Sequence, residues 1–221
     1  MTHTPLSLTC NTGDRSFTAT FSDATGVDIT TNVPYVYYKK NSGTWNSAAG
    51  TLVSGNSASS VWSFTISAAT MGGLIPTDVV SYFIASQDIA GTPNIGSLPA
   101  GGVFTNTATL TTAPSVPYTY AIGNQLSGTY PVGAGQAANG GFNTLTAAAA
   151  AYNTYCLSGN VIFELTDTLY STTTETFPVT FGVNAFAGTT NNLTIRPAAG
   201  MNPYFRASNQ TAFIKLNGAD Y

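Results

Sequence analysis

In residues 15–23 apolar and polar side chains alternate, with Phe17, Ala19 and Phe21 on one side and Thr18, Thr20 and Ser22 on the other. Alternation with period two marks a strand with one buried face. The pattern returns at 61–67, where Trp62, Phe64 and Ile66 share a face, and at 78–88, where Val80, Tyr82, Ile84 and Ser86 do. Residues 33–40 are aromatic and β-rich and run into an Asn41-Ser42-Gly43 turn. Residues 6–8 and 103–110 read as the first and last strands. Six or seven short strands, separated by Gly, Asn and Ser turns, predict an antiparallel β-sandwich over residues 1–112.

Pro114 and Pro117 follow, and they hold residues 113–120 extended as a semi-stiff linker. Residues 121–221 have a different character. Residues 142–155 form the one convincing helix, with Asn143 or Thr144 as its N-cap and five alanines, Ala147 to Ala151, in its middle. Leu145, Ala148, Ala149, Tyr152 and Cys156 fall on one apolar stripe. Four short β-segments come after it, at 161–165, 177–181, 193–196 and 213–216. Their spacing of about 16 to 20 residues is the signature of stacked turns of a solenoid.

Composition narrows the function. Of 221 residues, Lys and Arg number 6 and Asp and Glu 9, so 7% are charged, whereas Thr 36, Ser 19, Asn 18 and Gly 22 make up 95. The surface is therefore solvated by hydroxyls and amides. A net charge of −3 with six scattered cations cannot build the positive face that nucleic acid requires. Disorder is excluded by a hydrophobic content of 43%, and no apolar run reaches the roughly 20 residues of a membrane span. The residues after Met1 carry no export signal. A charge-poor, hydroxyl-rich surface nonetheless suits an exported protein. The expectation is thus a piece of a longer exported chain that continues beyond Tyr221, with Met1 foreign to it. Cys10 and Cys156 read as two free, buried, small apolar residues, and a bridge between them is the alternative.

The stretch Asp78-Val79-Val80-Ser81-Tyr82-Phe83-Ile84-Ala85-Ser86-Gln87-Asp88 with Ala90-Gly91 resembles a segment of immunoglobulin-like and fibronectin-type domains of bacterial surface proteins. Tyr37-Tyr38-Lys39-Lys40 and Trp45 resemble another segment of the same domains. The inter-sheet disulfide of antibody domains is missing. Residues 126–133, 142–148, 193–200 and 213–221 resemble the opening of right-handed parallel β-helix domains of the pectin-lyase-like type. In those domains a short amphipathic helix plugs the first turn, which would otherwise expose core and strand edge. The combination resembles large secreted surface proteins of gliding, type IX-secreting Bacteroidetes. The resemblance implies a mainly β chain: an immunoglobulin-like sandwich, a capping helix and the first turns of a parallel β-helix.

Candidate chemistry is sparse. The acids are Asp14, Asp23, Asp28, Asp78, Asp88, Glu164, Asp167, Glu175 and Asp220. Glu164 and Asp167 lie close in sequence, but three positions along a strand put them on opposite faces, so they make no acid/base pair. Arg196 and Arg206, on or beside successive turns, suit an acidic sugar or plain solvation. His3 is the single histidine, in a terminus expected to fray, so a hydrolytic triad has no base. Gly133-Ala134-Gly135-Gln136-Ala137-Ala138 mimics a dinucleotide loop without its βαβ context. Asp23, Asp28 and Asp88 stand at strand ends, where they form turns or hold a structural calcium ion. Tyr35, Tyr37, Tyr38 and Trp45 form the main aromatic cluster, with half of the tyrosines expected to face outward, for sheet packing or for sugar stacking. Asp167-Thr168-Leu169 resembles the O-glycan acceptor pattern of exported Bacteroidetes proteins.

No catalytic, cofactor-binding or metal-ligating residue is assigned, and no cofactor. The expected function is that of a non-catalytic structural or adhesive segment of a secreted or surface-displayed protein, with a glycan or a surface protein as partner and an extracellular location. The alternatives are an accessory region of a carbohydrate-active β-helix enzyme and a sugar-binding module.

Overall fold

A computed structural model describes residues 1–208 and 211–219. The chain is mainly β, with one α-helix among the described residues, and it divides into two units, Met1–Gly123 and Asn124–Tyr221.

The first unit holds β1 (Arg15–Ser22), β2 (Tyr35–Lys40), β3 (Asn46–Ala49), β4 (Thr51–Gly55), β5 (Ser59–Ile66), β6 (Val79–Gln87), β7 (Ile95–Leu98), β8 (Val103–Asn106), β9 (Thr109–Thr112) and β10 (Tyr118–Ala121). All of its strand pairs are antiparallel. One sheet runs β1-β5-β4, and a second runs β10-β6-β2-β3 with β7 also on β6. The alternation seen in the sequence now has its cause. Phe17, Ala19 and Phe21 of β1 and Trp62, Phe64 and Ile66 of β5 meet Val36 and Tyr38 of β2 and Val80, Tyr82 and Ile84 of β6 in one buried layer. Fully burying each of the large side chains contributes about 1.5–3 kcal/mol.

β6 loses its alternation because its other face is covered as well. Tyr37, Phe83 and Ala85 are buried there beside Phe104 and Leu110 of the β8–β9 hairpin. Three expected elements differ, and one is the expected last strand: residues 103–110 are not one strand but belong to the two arms, β8 and β9, of a hairpin. Residues 6–8 form no strand, and the terminus is held instead by Thr2, whose N–H and C=O exchange hydrogen bonds with Thr20 at 2.8 and 3.0 Å. The latter part of the expected linker is β10, which pairs with β6 and buries Tyr120, because Tyr118 and Tyr120 continue a period-two pattern once the prolines are passed.

The second unit contains β11 (Gln125–Val132), α1 (Leu145–Thr154), β12 (Cys156–Leu165), β13 (Leu169–Ser171), β14 (Val179–Gly182), β15 (Leu193–Pro197), β16 (Tyr204–Arg206) and β17 (Ile214–Asn217). Its ladders are parallel: β11-β12-β15, β13-β16 and β14-β17. Val161 pairs with Leu193, Leu169 with Tyr204 and Val179 with Ile214, so a second pass of the chain lies over the first in register. Side chains of like character stack. Phe163 lies under Ile195, Tyr170 under Phe205 and Phe181 under Leu216.

α1 is shorter than expected by a few residues at its N-terminus. Thr144 is its N-cap and accepts from the Ala147 N–H. Leu145, Ala148, Ala149 and Tyr152 are buried against the strands. Cys156 does not continue the helical stripe. Tyr155 is already extended, and Cys156 opens β12 with its N–H bonded to Asn124 O at 2.8 Å. Nor is either cysteine free: Cys10 and Cys156 are disulfide-bonded.

Candidate functional site

The acids are the side chains most able to carry chemistry, and the fold uses eight of the nine to hold backbone or a partner charge, while Asp220 lies outside the described residues. Asp14 Oδ1 accepts from Ala68 N–H at 2.8 Å. Asp23 Oδ1 accepts from the N–H groups of Thr25 and Gly26. Asp28 accepts from the N–H groups of Thr30, Thr31 and Asn32 at 2.9–3.0 Å, and also from the Thr30 hydroxyl. Burial pushes the Asp28 carboxyl up, but these donors outweigh it and hold the group at about 2. Asp88 accepts from Ala90 and Asn94, side chain and backbone, which lowers its pKa. Asp78 accepts from Ile75 N–H and Asn41 Nδ2 and lies 3.9 Å from Lys40 Nζ.

Asp23 and Asp88 line a cavity of about 220 Å³ together with Ser86, Gln87 and Asn94. Each carboxylate there already closes its own turn, and among the described residues no group of three or more His, Cys, Asp or Glu side chains is placed to hold a metal ion. Of the two uses expected for Asp23, Asp28 and Asp88, turn formation is the one the geometry displays.

In the second unit Glu164 and Asp167 point to different tasks. Glu164 Oε1 accepts from Arg196 Nε at 3.0 Å and Nη2 at 2.6 Å, across the β12–β15 ladder. Asp167 Oδ2 accepts from Ala134 N–H at 2.9 Å. The glycine-rich loop that mimics a dinucleotide motif is therefore tied to an acid of its own unit. Glu175 is buried and caps α1: its carboxylate accepts from Leu145 N–H, Thr146 N–H and the Thr146 hydroxyl at 2.8, 2.7 and 2.6 Å. Sequence reasoning missed this role, because the helix and its capping acid lie 30 residues apart.

His3 does not fray. Its ring packs 4.5 Å from Phe17, its Nδ1 faces Thr18 O at 3.1 Å, and its Nε2 faces the Tyr82 hydroxyl at 2.8 Å. With Nδ1–H donating to the carbonyl, Nε2 accepts from Tyr82, whose oxygen accepts in turn from Leu6 N–H at 2.8 Å. Burial lowers the His3 pKa, and the Thr18 bond opposes that in part.

The aromatic cluster divides between the two faces of β2. Tyr38 is buried in the main core. Tyr37 stacks on Phe83 at 5.1 Å and donates its hydroxyl to Thr107 O at 2.8 Å, and burial raises its pKa to about 12. No tyrosine of the three is fully outward; Tyr35 and Trp45 are half-buried. Trp45 meets Phe83 edge-on at 4.9 Å and carries Lys39 Nζ 5.0 Å from its ring centroid. Thr168 is exposed, and Arg206 lines a cavity of about 410 Å³ with Ser171 and Thr173. No protein-family model matches the chain, and no curated protein matches it.

Proposed function

We propose that the chain is a non-catalytic structural or adhesive segment of a secreted, surface-displayed protein, in which an immunoglobulin-like sandwich leads into the first turns of a parallel β-helix. The observation that carries the reading is the use of the acids: each one described is engaged with backbone N–H groups or with Arg196, which are architectural tasks. Parallel ladders that stack like on like support the β-helix part, and antiparallel sheets that share one core support the sandwich. Disulfide-bonded cysteines and a hydroxyl-rich surface favour an oxidising, extracellular setting. The test is turnover of a broad polysaccharide panel by the purified chain, together with protease sensitivity of the native protein on intact cells. Hydrolysis or elimination of any glycan, or a protein shielded inside the cell, overturns the reading.

One observation favours a sugar-binding variant of it. The Trp45 ring is half-exposed, with the Lys39 cation at its face, an arrangement that suits stacking of an acidic sugar. On a glycan array Trp45→Ala then abolishes binding, and unchanged binding removes this variant.

A further inference from the structure

The β8–β9 hairpin covers a buried face without belonging to either large sheet of its unit. It forms a two-stranded sheet of its own, and its ladder slips register on both sides of Phe104, so that Val103 meets Thr112, Phe104 meets Leu110 and Asn106 meets Thr109. Its outer positions Val103, Thr105, Thr109 and Thr111 are exposed. The chain enters it through Gly101, at a φ of 104° that suits glycine, and Gly102, and it leaves through the exposed Ser115 and Val116. Side-chain hydrogen bonds hold it at both ends. At the tip the Tyr37 hydroxyl donates to Thr107 O at 2.8 Å, and at the base the Gly102 N–H donates to Ser97 Oγ at 2.9 Å.

What the hairpin covers is aromatic. Tyr37 and Phe83 stack at 5.1 Å with their rings 9° apart, Trp45 meets Phe83 edge-on at 4.9 Å, and Phe104 lies 5.9 Å from Tyr37 and 6.1 Å from Phe83. Tyr37 and Phe83 are buried, yet the Phe104 and Leu110 side chains that cover them are only half-buried. Lifting the hairpin therefore uncovers ring surface that adjoins Trp45. The closed arrangement also contains a fault. Thr107 is 0% exposed, and among the described residues its Oγ1 has no hydrogen-bond partner. A buried hydroxyl left unbonded opposes closure, and opening returns it to water.

We propose that the hairpin is a flap, hinged at Gly101-Gly102 and latched at Thr107, that shuts off an aromatic wall of Tyr37, Phe83 and Trp45, and that the open wall takes a sugar ring bearing a carboxylate. This rests on the sugar-binding reading of Trp45 and extends it from a single ring to a gated wall. A pyranose has a C–H face and a rim of hydroxyls. The wall offers ring surface to the face and the Tyr37 hydroxyl, once it releases Thr107, to the rim. The Lys39 ammonium, 5.0 Å from the Trp45 ring centroid, meets the carboxylate. With the flap mostly shut, the apparent affinity is the intrinsic one scaled by the open fraction, so gate and binding are tied quantitatively.

The test joins amide exchange to titration with a hyaluronan tetrasaccharide, in which every second ring carries a carboxylate. In wild type the amides of 103–106 and 109–112 exchange through an opening that leaves those of β2 and β6 protected, and their protection factors give the opening constant. Thr107→Val removes the unbonded hydroxyl and lowers that constant by about fivefold or more. Gly102→Ala raises it, because a Cβ there stands 2.7 Å from the Phe104 ring and 2.9 Å from Ser97 Oγ. The Kd of the tetrasaccharide rises in T107V and falls in G102A, each by the factor through which the opening constant moves. Trp45→Ala abolishes binding and leaves exchange of the hairpin unchanged. Binding that W45A abolishes but that ignores both flap variants overturns the proposal and leaves the sugar-binding reading standing. No binding by wild type or by G102A overturns both. Hairpin amides that exchange only together with β2 and β6 overturn the flap. If G102A does not fold, T107V decides alone, since it must slow exchange and weaken binding by one and the same factor.

Discussion

Replacing Glu175 by alanine tests how the second unit is held together. The carboxylate is 6% exposed and accepts three hydrogen bonds, two of them from the first N–H groups of α1 and one from the Thr146 hydroxyl. Those N–H groups have no partner inside the helix. A hydrogen bond to a charged group is worth roughly 1.5–3 kcal/mol, and a carboxylate at a helix N-terminus adds about 0.3–1 kcal/mol through the aligned peptide dipoles. Water entering the space left by the side chain recovers part of this, so the expected loss is about 3 kcal/mol. Glu175→Gln keeps the shape and one acceptor oxygen but turns an NH2 group toward a donor, and about 2 kcal/mol is the expected cost. For a unit of this size each kcal/mol lowers the melting temperature by roughly 4–8 °C. Calorimetry on E175A therefore shows a transition lowered by about 12–24 °C, with E175Q between it and wild type. Hydrogen exchange at Ala147–Ala151 accelerates in the same order, while the amides of β1 and β5 do not change. A loss below about 1 kcal/mol in E175A, or faster exchange spread evenly over both units, would refute the assignment of Glu175 as the helix cap.

Further outcomes follow from the same bonding. The Asp28 carboxyl is held at about 2, below its ordinary 3.8, so its contribution is complete above pH 4 and drains away as the pH falls toward 2. D28N removes that part of the acid-unfolding slope, and an unchanged slope contradicts the assigned turn. His3 has a pKa below its ordinary 6.5, so its neutral form stabilises the terminal segment above that value and the contribution is lost as pH falls through the lowered one. The protection factor of the Leu6 amide, exchange corrected for its intrinsic pH dependence, then falls on acidification in wild type but is independent of pH in this range in His3→Phe. Asn153 donates to Thr180 O at 2.9 Å and accepts from Gly182 N–H at 2.7 Å. N153A should cost about 2 kcal/mol in urea unfolding, and a neutral result removes the bridging role.

The strands read most clearly from sequence are β1 and β5, each with one dry face over eight residues, because burial on one side leaves a period-two record, whereas β6, covered on both faces, was legible as a β-rich apolar run. β3 and β4 leave none. Asn46–Ala49 and Thr51–Gly55 are short and polar, and β4 is exposed along its length. β13 and β16 have three residues each, too few for any period, so one of the three parallel ladders was invisible although its neighbours were marked by Phe163, Phe181 and Ile195. The helix was legible from its alanines and N-cap. Its true anchors were not, because Glu175 and Asn184 reach it from elsewhere in the sequence; Asn184 Nδ2 donates to the carbonyls of Tyr152 and Tyr155 at its far end. The cysteines failed for the same reason. The residues around Cys10 and around Cys156 carry no local sign that either is disulfide-bonded.

Sheet edges explain several of these otherwise separate features. The outer face of β6 and β2 would expose Tyr37 and Phe83, and the β8–β9 hairpin folds over them. The edge of β14 away from β17 would leave a carbonyl and an N–H unpaired, and the Asn153 side chain supplies one donor and one acceptor there, standing in for a strand. A hairpin or an amide side chain satisfies such an edge and closes it. The start of the parallel stack is thus closed from within its own unit, by the buried face of α1 and by an amide that stands in for a strand.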